Sequence, residues 1–162
     1  MSEKKVSDSH VQMAEIVLPN DANPLGNMLG GKVMHLIDIA ASMSAMRLCR
    51  KPVVTVSVDS LDFRYPIKVG HMILLKASVN YTHRTSMEIG VRVESENPLT
   101  GERFHTSSAY LTFVALDKQG KPTEVPTIVP ETEEEKERFK AAESRRAYRM
   151  ETLSKEENKK KN

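Results

Sequence analysis

The chain has 162 residues, of which 39% are hydrophobic and 28% charged, and its formal net charge is +2. This length fits one domain with its own core and is short for two. A charge so close to neutral predicts no nucleic-acid or membrane-surface partner. No run of roughly 18 apolar residues predicts a membrane span. The polar N-terminus and the single cysteine, Cys49, predict a cytoplasmic location.

The first predicted elements are a strand at residues 11–18 and a turn-rich loop, PNDANPLGN, at residues 19–27. Residues 31–49 contain no proline and are rich in Met, Ala and Leu, which predicts a helix of about five turns. This helix is apolar on nearly every side. We therefore expect other structure to wrap it.

Four β-rich segments follow, and two of them alternate apolar and polar residues with the period of a half-buried strand. The last segment carries no fully charged side chain between its ends, which predicts a central strand or a strand in a subunit interface. Short connectors predict that the last three segments form an antiparallel meander. The fold class is therefore α+β, with an antiparallel sheet against one long helix. The four segments are residues 53–63, 72–81, 87–95 and 104–116.

The C-terminal part has a different composition. The segment PTEVPTIVP, residues 122–130, has too many prolines for a sheet interior and is predicted to run extended over the surface. Thr132 and Glu135 form a capping-box pattern, which predicts a charged helix to about Met150. These patterns divide the chain into a domain at 8–125, an extended segment with a helix at 126–150, and a disordered basic tail at 151–162.

Asp38 lies in the middle of the apolar helix, with His35 one turn before it. Aspartate is a poor helix former and is rarely buried without a partner, so it must face a cleft or be hydrogen-bonded inside. The residues alone are equally compatible with a catalytic carboxylate and with a structural one that pairs with His35 or with a neighbouring chain.

The stretch DANPLGNMLGG places Asn23, Asn27, Gly30 and Gly31 around the N-terminus of this helix. Glycine allows close backbone approach, and the unpaired N–H groups of a first helical turn can hold an oxyanion. The alternative is a turn whose Asn and Gly residues serve backbone geometry only, and the loop taken alone favours it.

The connector His83–Ser86 offers guanidinium and hydroxyl donors that suit phosphate, although it is also compatible with an ordinary polar hairpin. Basic residues late in a helix also complement its dipole, which makes the other arginines weaker phosphate candidates. No metal-ligand spacing and no G-x-S-x-G motif occurs, so we expect neither a metal site nor a serine nucleophile. The weaker candidates are Arg64, Arg145, Arg146 and Arg149.

Four separated blocks resemble the hotdog-fold acyl-CoA thioesterases, in particular the bacterial acyl-CoA hydrolases and the brain-type mammalian enzymes. The resemblance covers about residues 8–130 and implies a hotdog fold, in which the sheet wraps the central helix and two subunits pair their sheets. It places active sites at the dimer interface. The blocks are DANPLGNMLGGKVMHLIDIAASMSA, VDSLDFRYPIKVGH, VNYTHRTSMEIGVRVESENPLTGE and SSAYLTFVALDKQGKPTEVP.

The resemblance also implies the roles of the site residues. Asp38 corresponds to the helix aspartate of the family and Asn23 to the asparagine of its DAN element, and opposite subunits would contribute the two. Asp38 would act as a general base or as a nucleophile, and the N–H of Gly31 would hold the oxyanion. The residues expected to contact the substrate or its CoA moiety are Gly30, Arg64, Arg84, Thr85 and Ser86.

The function implied by the resemblance is hydrolysis of acyl-CoA to a free acid and CoA, with CoA as part of the substrate and no separate cofactor. The implied assembly is a dimer, and a trimer of dimers is expected. One alternative is a non-catalytic acyl-CoA sensor or carrier that uses the same pocket, although no helix-turn-helix segment accompanies the domain. A dehydratase acting on acyl-carrier protein would need a histidine in the loop at 19–31, which has none.

Overall fold

The structure is a computed structural model, and it describes residues 2–59 and 61–161. At its centre, a five-stranded antiparallel sheet in the order β2-β4-β5-β6-β3 packs against one long helix, α1 (Gly30–Cys49). The predicted meander is confirmed, and its last strand lies inside the sheet. The strands are β2 (Val11–Ile16), β3 (Val53–Val58), β4 (Met72–His83), β5 (Ser86–Glu96) and β6 (Arg103–Ala115).

The core lies between α1 and one face of the sheet. On β4, β5 and β6, apolar residues recur at every second position and are buried, so one face of these three strands belongs to the core. On β5, Met87 and Ile89 are buried in this way, and Leu36 and Ile37 of α1 cover the sheet. The α+β class predicted from the sequence is therefore the observed one.

The helix α1 is not enclosed on every side by its own chain. Met34, His35, Met46 and Arg47 are exposed, so the prediction that other structure wraps this helix holds only on the side that faces the sheet. The exposed side leaves apolar surface without a cover among the described residues.

The strand β3 ends earlier than the predicted segment 53–63. It stops at Val58, and residues 61–66 then run without helix or strand toward β4. Ser60, which belongs to the predicted segment, lies outside the described residues.

A second, two-stranded sheet joins the two ends of the domain. β1 (Glu3–Lys5) pairs in parallel with β7 (Thr127–Val129). Val125 and Ile128 are buried in the core. The proline-rich segment is therefore anchored by burial, whereas the sequence predicted that it would run over the surface. Its place outside the main sheet suits a segment whose prolines lack donors.

The last helix, α2 (Glu133–Lys160), begins at the predicted capping box. The Glu135 N–H donates to Thr132 Oγ1 at 3.1 Å, and the Thr132 N–H donates to Glu135 Oε2 at 3.1 Å. These bonds satisfy two backbone donors that a helix start leaves unpaired.

The prediction that this helix ends near Met150, before a disordered tail at 151–162, was wrong. The helix continues to Lys160, and Asn162 lies outside the described residues. No glycine or proline interrupts this stretch, and Lys155 pairs with Glu151 at 2.9 Å across one turn. Neither α1 nor α2 has an apolar stretch long enough to cross a membrane over its described residues.

Gly90 of β5 is required by a neighbouring side chain. A Cβ at this position would lie 2.7 Å from Nδ2 of Asn80, which donates to the buried Glu88 at 3.2 Å. We expect Gly90→Ala to lower the free energy of unfolding by about 1–3 kcal/mol, because packed atoms must move. Chemical denaturation measures this change.

The control is the same substitution in an Asn80→Ala background. The obstructing amide is then gone, so Gly90→Ala should cost less than about half as much there. An equal cost in both backgrounds would show that Asn80 is not the obstacle.

Candidate active site

Asp38 is half-buried on α1 and makes one hydrogen bond to the neighbouring strand. Its Oδ1 accepts from Oγ1 of Thr55 on β3 at 2.7 Å. Asp38 forms no ion pair within the part of the chain that the structure describes, and His35 is exposed. The carboxylate is therefore held by one neutral donor, and the possible pairing with His35 is not formed.

Thr55 is a site residue that the sequence analysis does not identify. In the run VVTVSV it reads as an ordinary β-branched strand residue. Its partner is 17 residues away in the chain. The same run has a second hydroxyl at Ser57, so no local pattern selects Thr55, and only the packing of α1 beside β3 does so.

The loop before α1 is held in place by the side chain of Asn23. Its Oδ1 accepts from the N–H of Leu25 at 3.0 Å and from the N–H of Asn27 at 3.1 Å. The Met28 N–H then ties the loop to the carbonyl oxygen of Ile67 at 2.7 Å. Because Oδ1 is occupied, the Nδ2 amide is the group of Asn23 that is left to donate to a ligand.

Gly30 and Gly31 form the first turn of α1. The N-cap residue, Leu29, provides no side-chain hydrogen bond to this turn. The first N–H groups of the helix are therefore available to a ligand. The ring of Phe63 lies 3.5 Å from the place of a Cβ on Gly30, whereas no described atom lies within 4 Å of that place on Gly31. Gly31 is thus the open position.

Gly31 and Asp38 do not meet within one chain. They are seven residues apart on α1, which is about 10 Å along the helix axis. A base and an oxyanion donor that act on the same carbonyl must each lie within about 3 Å of it. A single chain therefore does not bring the predicted catalytic residues into one centre.

The turn between β4 and β5 consists of Arg84 and Thr85, and Arg84 has a left-handed φ of 44°. The Arg84 carbonyl oxygen accepts from the Val125 N–H at 2.8 Å. Ser86 Oγ donates to the carbonyl oxygen of His83 at 3.1 Å. The backbone of the turn is thus fixed, while the side chain of Arg84 is exposed and available to a ligand.

Arg64 lies at the other end of the sheet. Its N–H donates to the Thr106 carbonyl oxygen, whereas the Thr85 carbonyl oxygen accepts from the N–H of Ala115 on the same strand, β6. Nine residues of strand separate these two points, which is about 30 Å. Within one chain, Arg64 and the turn cannot bind the same phosphate.

Two of the three α2 arginines that the sequence analysis named as phosphate candidates are used inside the protein. Arg145 donates twice to Glu88, at 3.1 and 2.7 Å, and Arg149 pairs with Asp59 at 3.0 Å. These contacts do not support the prediction that Arg145 and Arg149 bind phosphate. Arg84 and Arg146 leave positive charge near the turn. Burial first, and then the charges of Arg146 and Arg84, lower the pKa of His83 below its ordinary value of 6.5.

The chain matches the model of the thioesterase superfamily over residues 25–102. An uncharacterized acyl-CoA thioester hydrolase of Bacillus subtilis is 46% identical over 128 residues, which cover 79% of this chain and 74% of that protein.

Solved structures agree with this match over more of the chain. A hexameric acyl-CoA thioesterase, solved without ligand, superposes with a TM-score of 0.91 at 43% identity and covers 94% of this chain and 98% of its own. The acyl-CoA hydrolase of Staphylococcus aureus was solved with butyryl-CoA, CoA and CoA disulfide. It superposes with a TM-score of 0.85 at 37% identity, and the match covers 96% of this chain and 98% of that protein. Variants of that enzyme with an aspartate, a threonine or an asparagine changed to alanine have also been solved.

Three findings point to the same family. The central helix carries a carboxylate, an open turn precedes this helix, and the fold matches over nearly the whole length. The chain belongs to the thioesterase superfamily, among the acyl-CoA thioester hydrolases with the hotdog fold.

Proposed function

We propose that this protein hydrolyses acyl-CoA thioesters to a free acid and CoA, at centres that two copies of the chain build together. The observation that carries the proposal is the Asp38 carboxylate, which Thr55 holds by one oxygen at 2.7 Å. CoA takes part as a portion of the substrate, and the reaction needs no separate cofactor.

The variants of the Staphylococcus aureus enzyme support the choice of residues. Its substituted asparagine, aspartate and threonine follow one another at intervals of 15 and 17 residues. Asn23, Asp38 and Thr55 follow one another at the same intervals in this chain. The hydrogen bond between Thr55 and Asp38 and the free Nδ2 amide of Asn23 support the same choice.

Asp38 supplies the carboxylate that starts the reaction. It removes a proton from a water molecule that attacks the thioester carbonyl carbon, or it attacks that carbon itself and forms an anhydride that water then opens. Both routes consume one water, break the C–S bond and return a proton to the sulfur of CoA. The bond from Thr55 fixes one carboxylate oxygen, so the other can face the carbonyl in a defined orientation.

The negative charge that develops on the carbonyl oxygen is stabilised at the N-terminus of α1. The Gly31 N–H and the Nδ2 amide of Asn23 are the available donors, and the helix dipole adds to their effect. Because Gly31 and Asp38 of one chain are about 10 Å apart, one copy supplies the donors and another supplies the carboxylate.

The free edge of β3 is the surface through which two copies pair. β3 is the last strand in the sheet order, and Val54 and Val56 on it are exposed at 42% and 54%. Pairing of two β3 edges would continue the sheet and give a two-fold symmetric dimer. Three such dimers form the hexamer that we propose, in keeping with the hexameric relative.

The nucleotide end of CoA binds at the turn between β4 and β5, in this proposal. Arg84 is exposed there, and together with Arg146 it leaves positive charge that no described acidic group neutralises. Thr85 and Ser86 add hydroxyl groups. Gly30 lies beside the thioester, and Arg64 reaches CoA only from a neighbouring copy, since about 30 Å separates it from the turn of its own chain.

We place the reaction in the cytoplasm. A reducing compartment suits a chain whose one cysteine, Cys49, is buried and unpaired.

Mixing two inactive variants tests whether the centre is shared. We expect Asp38→Asn and Asn23→Ala each to lower kcat by at least about 100-fold, measured by release of the CoA thiol. When the two variants are co-expressed, about a quarter of the wild-type activity should return. Half of the dimers are then mixed, and each mixed dimer contains one intact centre.

Asp38→Asn combined with Thr55→Ala is the matched control, because both changes damage the part of the centre that one copy supplies. This mixture should show no more activity than its components. If co-expression of Asp38→Asn with Asn23→Ala restores no activity, the carboxylate and the oxyanion donors lie in one copy. Tight CoA binding without thiol release at any acyl length would favour the sensor alternative.

Substitution of Arg84 tests the CoA site. We expect Arg84→Ala to raise KM for acyl-CoA about tenfold with little change in kcat, because a charge-assisted hydrogen bond to phosphate is lost. The KM for an acyl-pantetheine, which has the thioester but no nucleotide, should not change. An equal rise for both substrates would show that Arg84 acts on the thioester end instead.

The protonation of His83 reports on the same site. Burial and two neighbouring arginines lower the pKa of His83 in the free protein. A bound phosphate favours the protonated imidazole and should therefore raise this pKa. An NMR titration with and without CoA measures the change, His83→Gln assigns the signal, and pantetheine is the control. A pKa that CoA leaves unchanged would place the phosphates elsewhere.

A further inference from the structure

The C-terminal helix α2 crosses the outer face of the sheet from strand to strand. Its Phe139 packs edge-on against Tyr81 of β4, with 4.9 Å between the ring centroids. Further along the helix, the guanidinium of Arg145 donates to Glu88 of β5 and lies 3.7 Å from the ring centroid of Tyr110 on β6. The helix therefore runs across the strands toward the β3 side of the sheet.

The end of α2 extends past the edge of its own sheet. Arg149 pairs at 3.0 Å with Asp59, which directly follows the edge strand β3 in the chain. Residues 150–160 then continue the helix by about 16 Å. Neighbouring strands lie only about 4.8 Å apart. In the proposed dimer, the sheet of the second copy begins at this edge, so the end of α2 lies over that sheet.

The projecting part of α2 is exposed along its whole length, from Met150 to Lys160. Two of its apolar side chains are Met150, which is 47% exposed, and Leu153, which is 51% exposed. Leu153 lies four residues after Arg149 and so continues the side of the helix that faces the sheet. A helical segment this short is only marginally stable in water without packing. A partner surface under Leu153 would stabilise it.

An apolar side chain without a cover from the described residues lies beside the free edge of β3. Val53 packs against the core, and Thr55 donates to Asp38 on α1. Because successive residues of a strand face opposite sides, Val54 points to the outer face, where α2 lies. Val54 is 42% exposed. In the proposed dimer, the same residue of the second copy lies just past the edge that α2 crosses.

We infer that the end of α2 docks on the outer sheet face of the second copy, with Leu153 and Met150 packed on the partner subunit's Val54. The two-fold symmetry of the dimer repeats the contact, so each copy holds the other. The inference rests on the proposed function, since that proposal pairs the two β3 edges. Because each active centre needs both copies, docking of α2 stabilises the active form. The thioesterase family model ends at residue 102 and does not include this helix.

Weakening of the dimer tests the contact. We expect Leu153→Ser to raise the Kd for dissociation into single copies at least about tenfold, because two apolar contacts are lost per dimer. Sedimentation over a dilution series measures the Kd, and circular dichroism checks that the variant is folded.

Tyr148→Ser is the matched control. Tyr148 is 71% exposed on the same helix, and it points about 140° away from Leu153 around the helix axis. Its substitution should change the Kd by less than about twofold. An unchanged Kd for Leu153→Ser, or equal rises for both variants, would overturn the inference.

Cross-linking identifies the surface on which α2 docks. A copy with Leu153→Cys is co-expressed with a differently tagged copy that carries Val54→Cys, and we expect a short bis-maleimide to join the two tags. The native Cys49 is buried, and burial raises the pKa of its thiol, which slows its reaction. Each substituted copy paired with an unsubstituted copy is the control.

The products of this reaction have distinct meanings. Products that join only two Leu153→Cys copies would show that the two α2 helices pack on each other, which contradicts docking on the sheet. The absence of any product between the two tags would also contradict it. Full activity of Asp38→Asn would refute the proposed reaction alone, since cross-linking does not depend on hydrolysis. Wild-type protein that sediments as single copies would overturn both the docking and the shared centre.

Discussion

In the mechanism that we propose, the chemistry of this protein depends on the hydrogen bond from Thr55 to Asp38. A carboxylate in the middle of an apolar helix is costly unless it has a partner, but a carboxylate with every oxygen paired would be unreactive. Thr55 donates a single neutral hydrogen bond at 2.7 Å and so meets both requirements. The contact exists because β3 packs beside α1 in one register. The position of this strand therefore determines the orientation of the Asp38 carboxylate, which is the reacting group in our proposal.

The geometry of α1 connects catalysis with assembly. The helix carries both the open N–H groups at Gly31 and the carboxylate at Asp38, but it keeps them about 10 Å apart. A helix cannot be bent to bring them together without breaking its backbone hydrogen bonds. A second copy with its own α1 nearby removes this obstacle. The exposed side of α1 and the free edge of β3 are the surfaces that such a copy would cover.

The two faces of the sheet have different roles. The inner face is apolar, and the packing of α1 against it forms the core. The outer face is polar and charged, and α2 is attached to it by the ion pairs of Arg145 and Arg149 together with apolar contacts of Phe139 and Ala142. Removal of one partner from a buried pair such as Arg145–Glu88 typically costs about 3–5 kcal/mol, since it leaves a buried charge uncompensated. A helix that is largely exposed can therefore still be firmly attached at one segment.

Features that depend on residues close together in the chain can be predicted from local patterns. The Met-, Ala- and Leu-rich composition of α1, the alternation in β4 and β5 and the capping box at Thr132 are local patterns. Asp38 stands out because an acidic residue is unusual inside an apolar helix. The other features follow only from the folded structure. Packing makes Thr55 the partner of Asp38 and commits Arg145 and Arg149 to partly buried ion pairs. Those contacts join residues far apart in the chain, and no local pattern records which distant side chains packing will bring together.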